Sequence, residues 1–281
     1  MRHVAGKLVQ TTGDTITMIR ELHHRDPLLF YTGSFMLLLL VVATLLSISD
    51  TRLVAGINPW IKPMKFMTSI TIFLWTIAWF MPDTEPNPRS RAIVRWTIAS
   101  AMVIEIVMIV MQAWRGTTSH FNIESPFDGI VFGIMGVAIL FNTAAMVLFL
   151  WIIRRDTPPS RAGYIWGIRL GVLLFLAASL EGAVIITNNA HTIGAEDGGP
   201  GLPFVNWSTQ YGDLRVAHFF GMHAMQALPL LGFFLDRLTK SGQLSVTSVA
   251  RNVVFAVSIV WLAVTAGLLY IALQGRPLIS M

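Results

Sequence analysis

The stretch LLFYTGSFMLLLLVVATLLSI, residues 28–48, decides the fold. It holds no aspartate, glutamate, lysine, arginine or histidine. Its length matches the roughly 20 apolar residues that a helix needs to cross the hydrocarbon of a bilayer. Runs of the same kind recur at 63–82, 92–114, 129–153, 164–188, 214–236 and 252–274. Helix breakers lie between them: Pro59 and Pro63, Pro82 with Pro86 and Pro88, Pro126, Pro158 with Pro159, and the glycines and prolines from Gly198 to Pro203. The pattern predicts an all-α, polytopic integral membrane protein with a bundle of seven transmembrane helices.

Composition agrees. Of 281 residues, 54% are hydrophobic and only 12% charged, and the mean hydropathy is +0.64. A soluble domain carries about 25% charged residues. The net charge of +5 would suit a nucleic-acid binder. In a membrane chain, however, excess lysine and arginine record topology and contact with anionic headgroups. No basic run is interleaved with aromatics, so the expected partner is the lipid bilayer and not nucleic acid. The chain has no cysteine, which excludes disulfides, thiolate metal sites and iron–sulfur clusters.

Residues 1–27 read as a separate amino-terminal segment. Ile16, Ile19 and Leu22 are helix-spaced among Arg20, Glu21, His23 and His24, the pattern of a short amphipathic helix lying on the membrane surface. The segment lacks the apolar run of a signal-peptide core. Residues 28–281 form one transmembrane domain without an internal repeat.

Orientation follows from the positive-inside rule. Of 20 lysines and arginines, only Arg52, Lys62, Lys65, Arg115, Arg215 and Arg276 fall on one side of the expected bundle. The amino terminus is therefore expected in the cytoplasm and the carboxyl terminus outside, in a plasma membrane of bacterial type (the cell inner membrane). Trp79, Trp96, Trp151 and Trp166 fall at the cytoplasmic ends of spans, and Trp60, Trp114 and Trp207 near the outer ends, as an aromatic belt requires.

The polar residues then sort to the outer side. His120 and His191 lie in outer loops, and His218 lies just inside the sixth span. Counting about 1.5 Å per residue, Glu105 and His223 lie roughly 14 Å below the outer surface and Glu181 roughly 10 Å below it. Gln112 stands one heptad above Glu105, and Asn188 one heptad above Glu181, on matching helix faces. A carboxylate facing lipid at such depth is costly, so both glutamates are expected to face the bundle interior. His223, with Gln226 beside it, is the expected donor, and Lys65 approaches from the rim. His218 and His223 are five positions apart, about 140° around a helix, so they point to different neighbours. Pro229 is expected to distort the helix near them.

Two chemistries fit this pool. The first is a metal or haem site, with His223, His218, His191 and His120 as ligands for iron, copper, zinc or haem b. Glu105, Glu181 and Lys65 would be the reacting groups, and Gln112, Asn188 and Gln226 further binding groups. The expected activity is then that of a redox protein, a metal- or haem-dependent membrane oxidoreductase taking a small-molecule or quinone-like substrate. The second is transport of a small solute coupled to protons that Glu105, Glu181 and His223 relay. The same polar residues would also serve as a network clamping the helices together. No CxxCH, HExxH or GxSxG motif is present, and the last span has no lysine for a retinal Schiff base.

Overall fold

The computed structural model describes residues 15–154, 156–240 and 247–280. It is 75% helical and all-α. Helix α1 (15–25) ends at Asp26, whose buried side chain accepts a hydrogen bond from the Leu29 backbone N–H and so starts α2 (Pro27–Ser49). Residues 1–14, the first half of the amino-terminal segment, lie outside the described residues. The other long helices are α3 (Ile61–Phe80), α4 (Pro88–Arg115), α5 (Pro126–Ile152), α6 (Ala162–Asn188) and α9 (Thr247–Leu273). Pro27, Pro88 and Pro126 occupy first-turn positions, where their missing N–H costs nothing, and Asn87 and Ser125 cap the next two helices. The breakers thus act as starters.

Among the described residues, six helices are long and apolar enough to cross a membrane. Their outward faces are apolar: Leu45, Ile48, Leu140, Trp151 and Ile259 are each more than 60% exposed. Such a surface belongs in lipid.

The stretch 214–236 differs from the single continuous helix expected. It forms two pieces, α7 (Leu214–Met222) and α8 (Ala224–Lys240), which meet at His223. The Phe220 carbonyl at this break accepts a hydrogen bond from the Trp261 indole N–H of α9, at 3.0 Å. Pro229, six residues beyond His223, has no N–H to return to the helix, yet α8 runs on through it. A side-chain donor inserted into the backbone ladder suffices to interrupt a helix.

The two pieces nevertheless follow α6 along its length. Gly163, Gly167 and Gly171, spaced by four, bring the α6 backbone against Gly232, Leu228 and Ala224 of α8. A β-carbon on Gly167 would lie 2.5 Å from the Leu228 carbonyl oxygen, and one on Gly232 would lie 2.1 Å from that of Gly163. Further along, Gly221 of α7 meets Ala178. Small residues at this spacing let membrane helices approach closely. Asp236 completes the pairing by accepting from the Gly163 and Tyr164 N–H groups, at 3.0 and 2.8 Å, where α6 begins.

The helix ends form two polar layers. At one end, Arg161 pairs with Asp83 and Arg91 donates to Thr84. At the other, Arg115 pairs with Asp128, Arg52 donates to the Trp114 carbonyl, and a two-stranded ribbon, β1 (Thr192–Ile193) with β2 (Gly212–Asp213), covers the bundle. Gly212 lies so close to the Ala272 carbonyl that no side chain fits there. The candidate site lies under this second layer.

Candidate functional site

Lys62 and Lys65 sit in the first turns of α3, Glu105 in the carboxyl-terminal half of α4, and His218 on α7. His120 and His191 come from the loops 116–125 and 189–213. The long loop is pinned down at several points. Lys65 donates to the Val205 carbonyl at 3.2 Å, and Arg215 donates to the Asn206 carbonyl and to Asp213. Asp213 in turn caps α7.

Three histidines gather at this end, and each has its Nδ1 engaged. His191 Nδ1 lies 2.5 Å from the Asp197 carboxylate, which also accepts from the backbone N–H groups of His191 and Thr192. His218 Nδ1 donates to the Ala178 carbonyl at 2.8 Å. His120 Nδ1 lies 3.0 Å from the Ser119 hydroxyl. A carboxylate or a carbonyl can only accept, so in neutral His191 and His218 the hydrogen is on Nδ1 and the lone pair is on Nε2.

Electrostatics keep the loop imidazoles neutral. Burial, aided by the positive charge of Lys62, holds His120 well below its ordinary pKa. Burial lowers His191 as well, and outweighs the attraction of Asp197. Burial alone would raise Asp197, but its hydrogen bonds from His191 and Thr192 prevail and hold it below the usual carboxylate range.

Glu105 is buried, with Oε1 3.6 Å from His120 Nε2. That is an approach to a neutral ring, not a hydrogen bond. Among the described residues, Glu105 Oε2 has no hydrogen-bond partner, and neither has Oε2 of the buried Glu181. Both acids leave a demand for a donor unmet at this end of the bundle.

Between the loop histidines stands Phe121. Its ring centroid lies 6.2 Å from that of His120 and 5.1 Å from that of His191. Its backbone has φ +59°, a left-handed conformation that a bulky residue rarely adopts. Strain of this kind persists where surrounding contacts impose it, and it concentrates at functional sites.

The expected meeting of Glu105, Glu181 and His223 is not what the chain builds. No hydrogen bond or ion pair joins His223 to either acid among the described residues. Its Nδ1 donates to the Phe219 carbonyl one turn back, at 2.9 Å, and its ring stacks on Phe219 at 4.1 Å. Trp207 of the covering loop continues this column. Gln226 reaches Thr76 on α3 at 3.2 Å. Gln112 donates to Asp128 at 2.8 Å, accepts from Arg115, and so ties α4 to α5. Asn188 donates to the Ala190 and Thr192 carbonyls and shapes the turn after α6. These residues have local partners. The residues that do approach one another are His120, Ser119 and Glu105, and His191 with Asp197. The His191–Asp197 pair is six residues apart in a loop, and only its acid–imidazole composition hinted at it.

No three His, Cys, Asp or Glu side chains among the described residues stand close enough together to hold a metal ion as they are. The chain matches no family model, no characterised protein and no solved structure.

Proposed function

We propose that the protein is a seven-span membrane protein of a bacterial-type plasma membrane, with its amino terminus in the cytoplasm. The six long helices account for six crossings, and the α7–α8 pair, packed along α6, makes the seventh. The lysine and arginine bias then puts the layer holding His120, His191 and His218 outside.

We further propose that this outer layer is a histidine site for haem b or a redox-active metal ion. The observation that carries the reading is the engagement of Nδ1 in all three imidazoles. Metal-ligating histidines present one nitrogen to the metal while the other donates to a carboxylate, carbonyl or similar group. Asp197, the Ala178 carbonyl and Ser119 are partners of that kind. The donor set is thus a neutral imidazole pair drawn from His120, His191 and His218, without thiolates. With no three such ligands gathered among the described residues, one or two of these histidines would hold a haem more readily than they would a closed ion site. When bound, the group would supply one-electron redox chemistry. Glu105, beside His120, would exchange the accompanying proton, and Lys65 and Arg215 at the rim favour an anionic or quinone-like substrate. The absorption spectrum and metal content of protein purified under mild conditions test this. A Soret band, or stoichiometric iron or copper, is expected; colourless, metal-free protein that takes up neither on addition contradicts it.

The broken helix favours a second reading, a proton-coupled small-solute transporter. Interrupted spans near mid-membrane commonly mark substrate and ion sites. Solute uptake into proteoliposomes, driven by a pH gradient and lost in Glu181→Gln, is its test.

A further inference from the structure

Helix α3 is tied to the α7–α8 pair at two levels. At the first, Lys65 donates to the Val205 carbonyl and Arg215 to the Asn206 carbonyl, so neighbouring residues of the covering loop bridge the helices. At the second, Gln226 Nε2 donates to the Thr76 hydroxyl at 3.2 Å. Thr76 follows Lys65 by eleven residues, and Gln226 follows Arg215 by eleven. The two ties are therefore about 16 Å apart along each helix.

Between the ties the facing surfaces stay open. Ser69 and Ile72 share the face of α3 that carries Lys65 and Thr76, and Phe219 and Met222 lie in the same way between Arg215 and Gln226. Ser69 is exposed, Ile72 is 43% exposed and Phe219 47%. A groove thus runs between the helices, with Met222 packed on the central core behind it. It gives onto the apolar flank, where Leu230, one turn beyond Gln226, is 56% exposed. Trp207, Phe219 and His223 line it as a column of rings.

The polar atoms of this groove are all of one kind. The Ser69 hydroxyl donates to the Phe66 carbonyl, and the Thr76 hydroxyl to the Ile72 carbonyl. Thr76 Oγ1 can then only accept from Gln226, which turns the amide nitrogen towards it and leaves Oε1 as an acceptor. His223 Nδ1 donates to the Phe219 carbonyl, so the neutral ring carries its lone pair on Nε2. Among the described residues nothing donates to His223 Nε2, Gln226 Oε1 or Ser69 Oγ. Hydrocarbon offers no donor either, so acceptors on such a surface mark a place where a ligand supplies the hydrogens. That ligand needs hydroxyl groups, a flat ring to lie on the aromatic column, and an apolar body that reaches the groove through the bilayer.

We propose that the groove between α3 and α7–α8 binds a membrane-soluble quinol, its hydroxyls donating to His223 Nε2 and Gln226 Oε1 and its ring against Phe219. The oxidised quinone has carbonyls in place of hydroxyls and offers these acceptors nothing. That such a quinol is the substrate of the histidine site rests on the redox reading above; that it binds rests on the groove alone.

Anaerobic calorimetric titration of haem- and metal-free protein in detergent, with decylubiquinol and with decylubiquinone, tests it. The quinol is expected to bind at least about fivefold more tightly than the quinone, and its affinity to fall about fivefold in His223→Ala and again in Gln226→Leu. An unchanged unfolding midpoint without ligand confirms that these variants fold. Ser69→Leu, at an exposed position, fills the groove without touching His223 or Gln226 and is expected to abolish binding. Equal affinity for quinol and quinone overturns the proposal, as does quinol binding that survives both His223→Ala and Ser69→Leu, or no binding at all. Haem uptake without quinol binding would sink this proposal and leave the histidine site standing, whereas quinol binding by protein that takes up neither haem nor metal supports the groove and removes the redox reading.

Discussion

His120 and His191 do their electrostatic work by staying neutral. Burial lowers both below the ordinary value of 6.5, so the unfolded chain takes up protons first as the pH falls. The stability this confers is full above pH 6.5 and is lost as the pH drops through the ordinary range. The unfolding midpoint of the purified protein is therefore expected to fall from about pH 7.5 to about pH 5.5. The fall should be shallower in His120→Gln, and a midpoint independent of pH would contradict it. Asp197→Asn removes the ionised acceptor from His191 and Thr192. It is expected to cost about 1–3 kcal/mol locally, read as faster amide hydrogen exchange in the loop 189–213. The sequence told which residue types would collect at this end, because few polar groups exist to choose from. It did not tell which would touch. Pairing depends on how the loops 116–125 and 189–213 fold back, and loop trajectories leave no periodic trace. His223 shows the limit: the break in its helix turned it towards Phe219.

Helices were the most legible part, since hydrocarbon imposes a minimum length and an apolar composition on each. The long helices start within about five residues of the apolar runs, and α2, α4 and α5 do so at prolines and caps that the chain declares. The contact between α6 and α8 was also written in the chain, as glycines every four residues at 163, 167 and 171, yet hydropathy does not register it. Gly167→Ala and Gly232→Ala should each destabilise the bundle by about 1–3 kcal/mol, because the new methyl group meets a backbone carbonyl. Gly129→Ala and Gly136→Ala, with nothing within 4 Å of the added carbon, should not. Unfolding in sodium dodecyl sulfate compares the four. Equal effects would mean that the close approach of α6 to α8 is not a source of stability. Asp236→Ala, which removes the acceptor for two N–H groups of α6, should cost about 1 kcal/mol in the same assay.

For the whole molecule, the exposed apolar girdle and the two polar layers express one solvent constraint: backbone groups pair within the helices, the ion pairs gather at the ends, and the flanks are left to lipid. The absence of cysteine makes sidedness directly measurable. A single cysteine at Glu196 is expected to react with a membrane-impermeant maleimide added to intact cells, and one at Ser160 only after permeabilisation. The reverse pattern would put the histidine layer in the cytoplasm. The most direct test of the histidine site is a titration of purified protein with haem b, and in parallel with Cu²⁺. Wild type would be compared with His120→Ala, His191→Ala, His218→Ala and His223→Ala. Saturable binding that is lost on removing His120 or His191 and kept on removing His223 is the predicted result. Binding lost only in His223→Ala, or no binding to the wild type at all, would contradict the account.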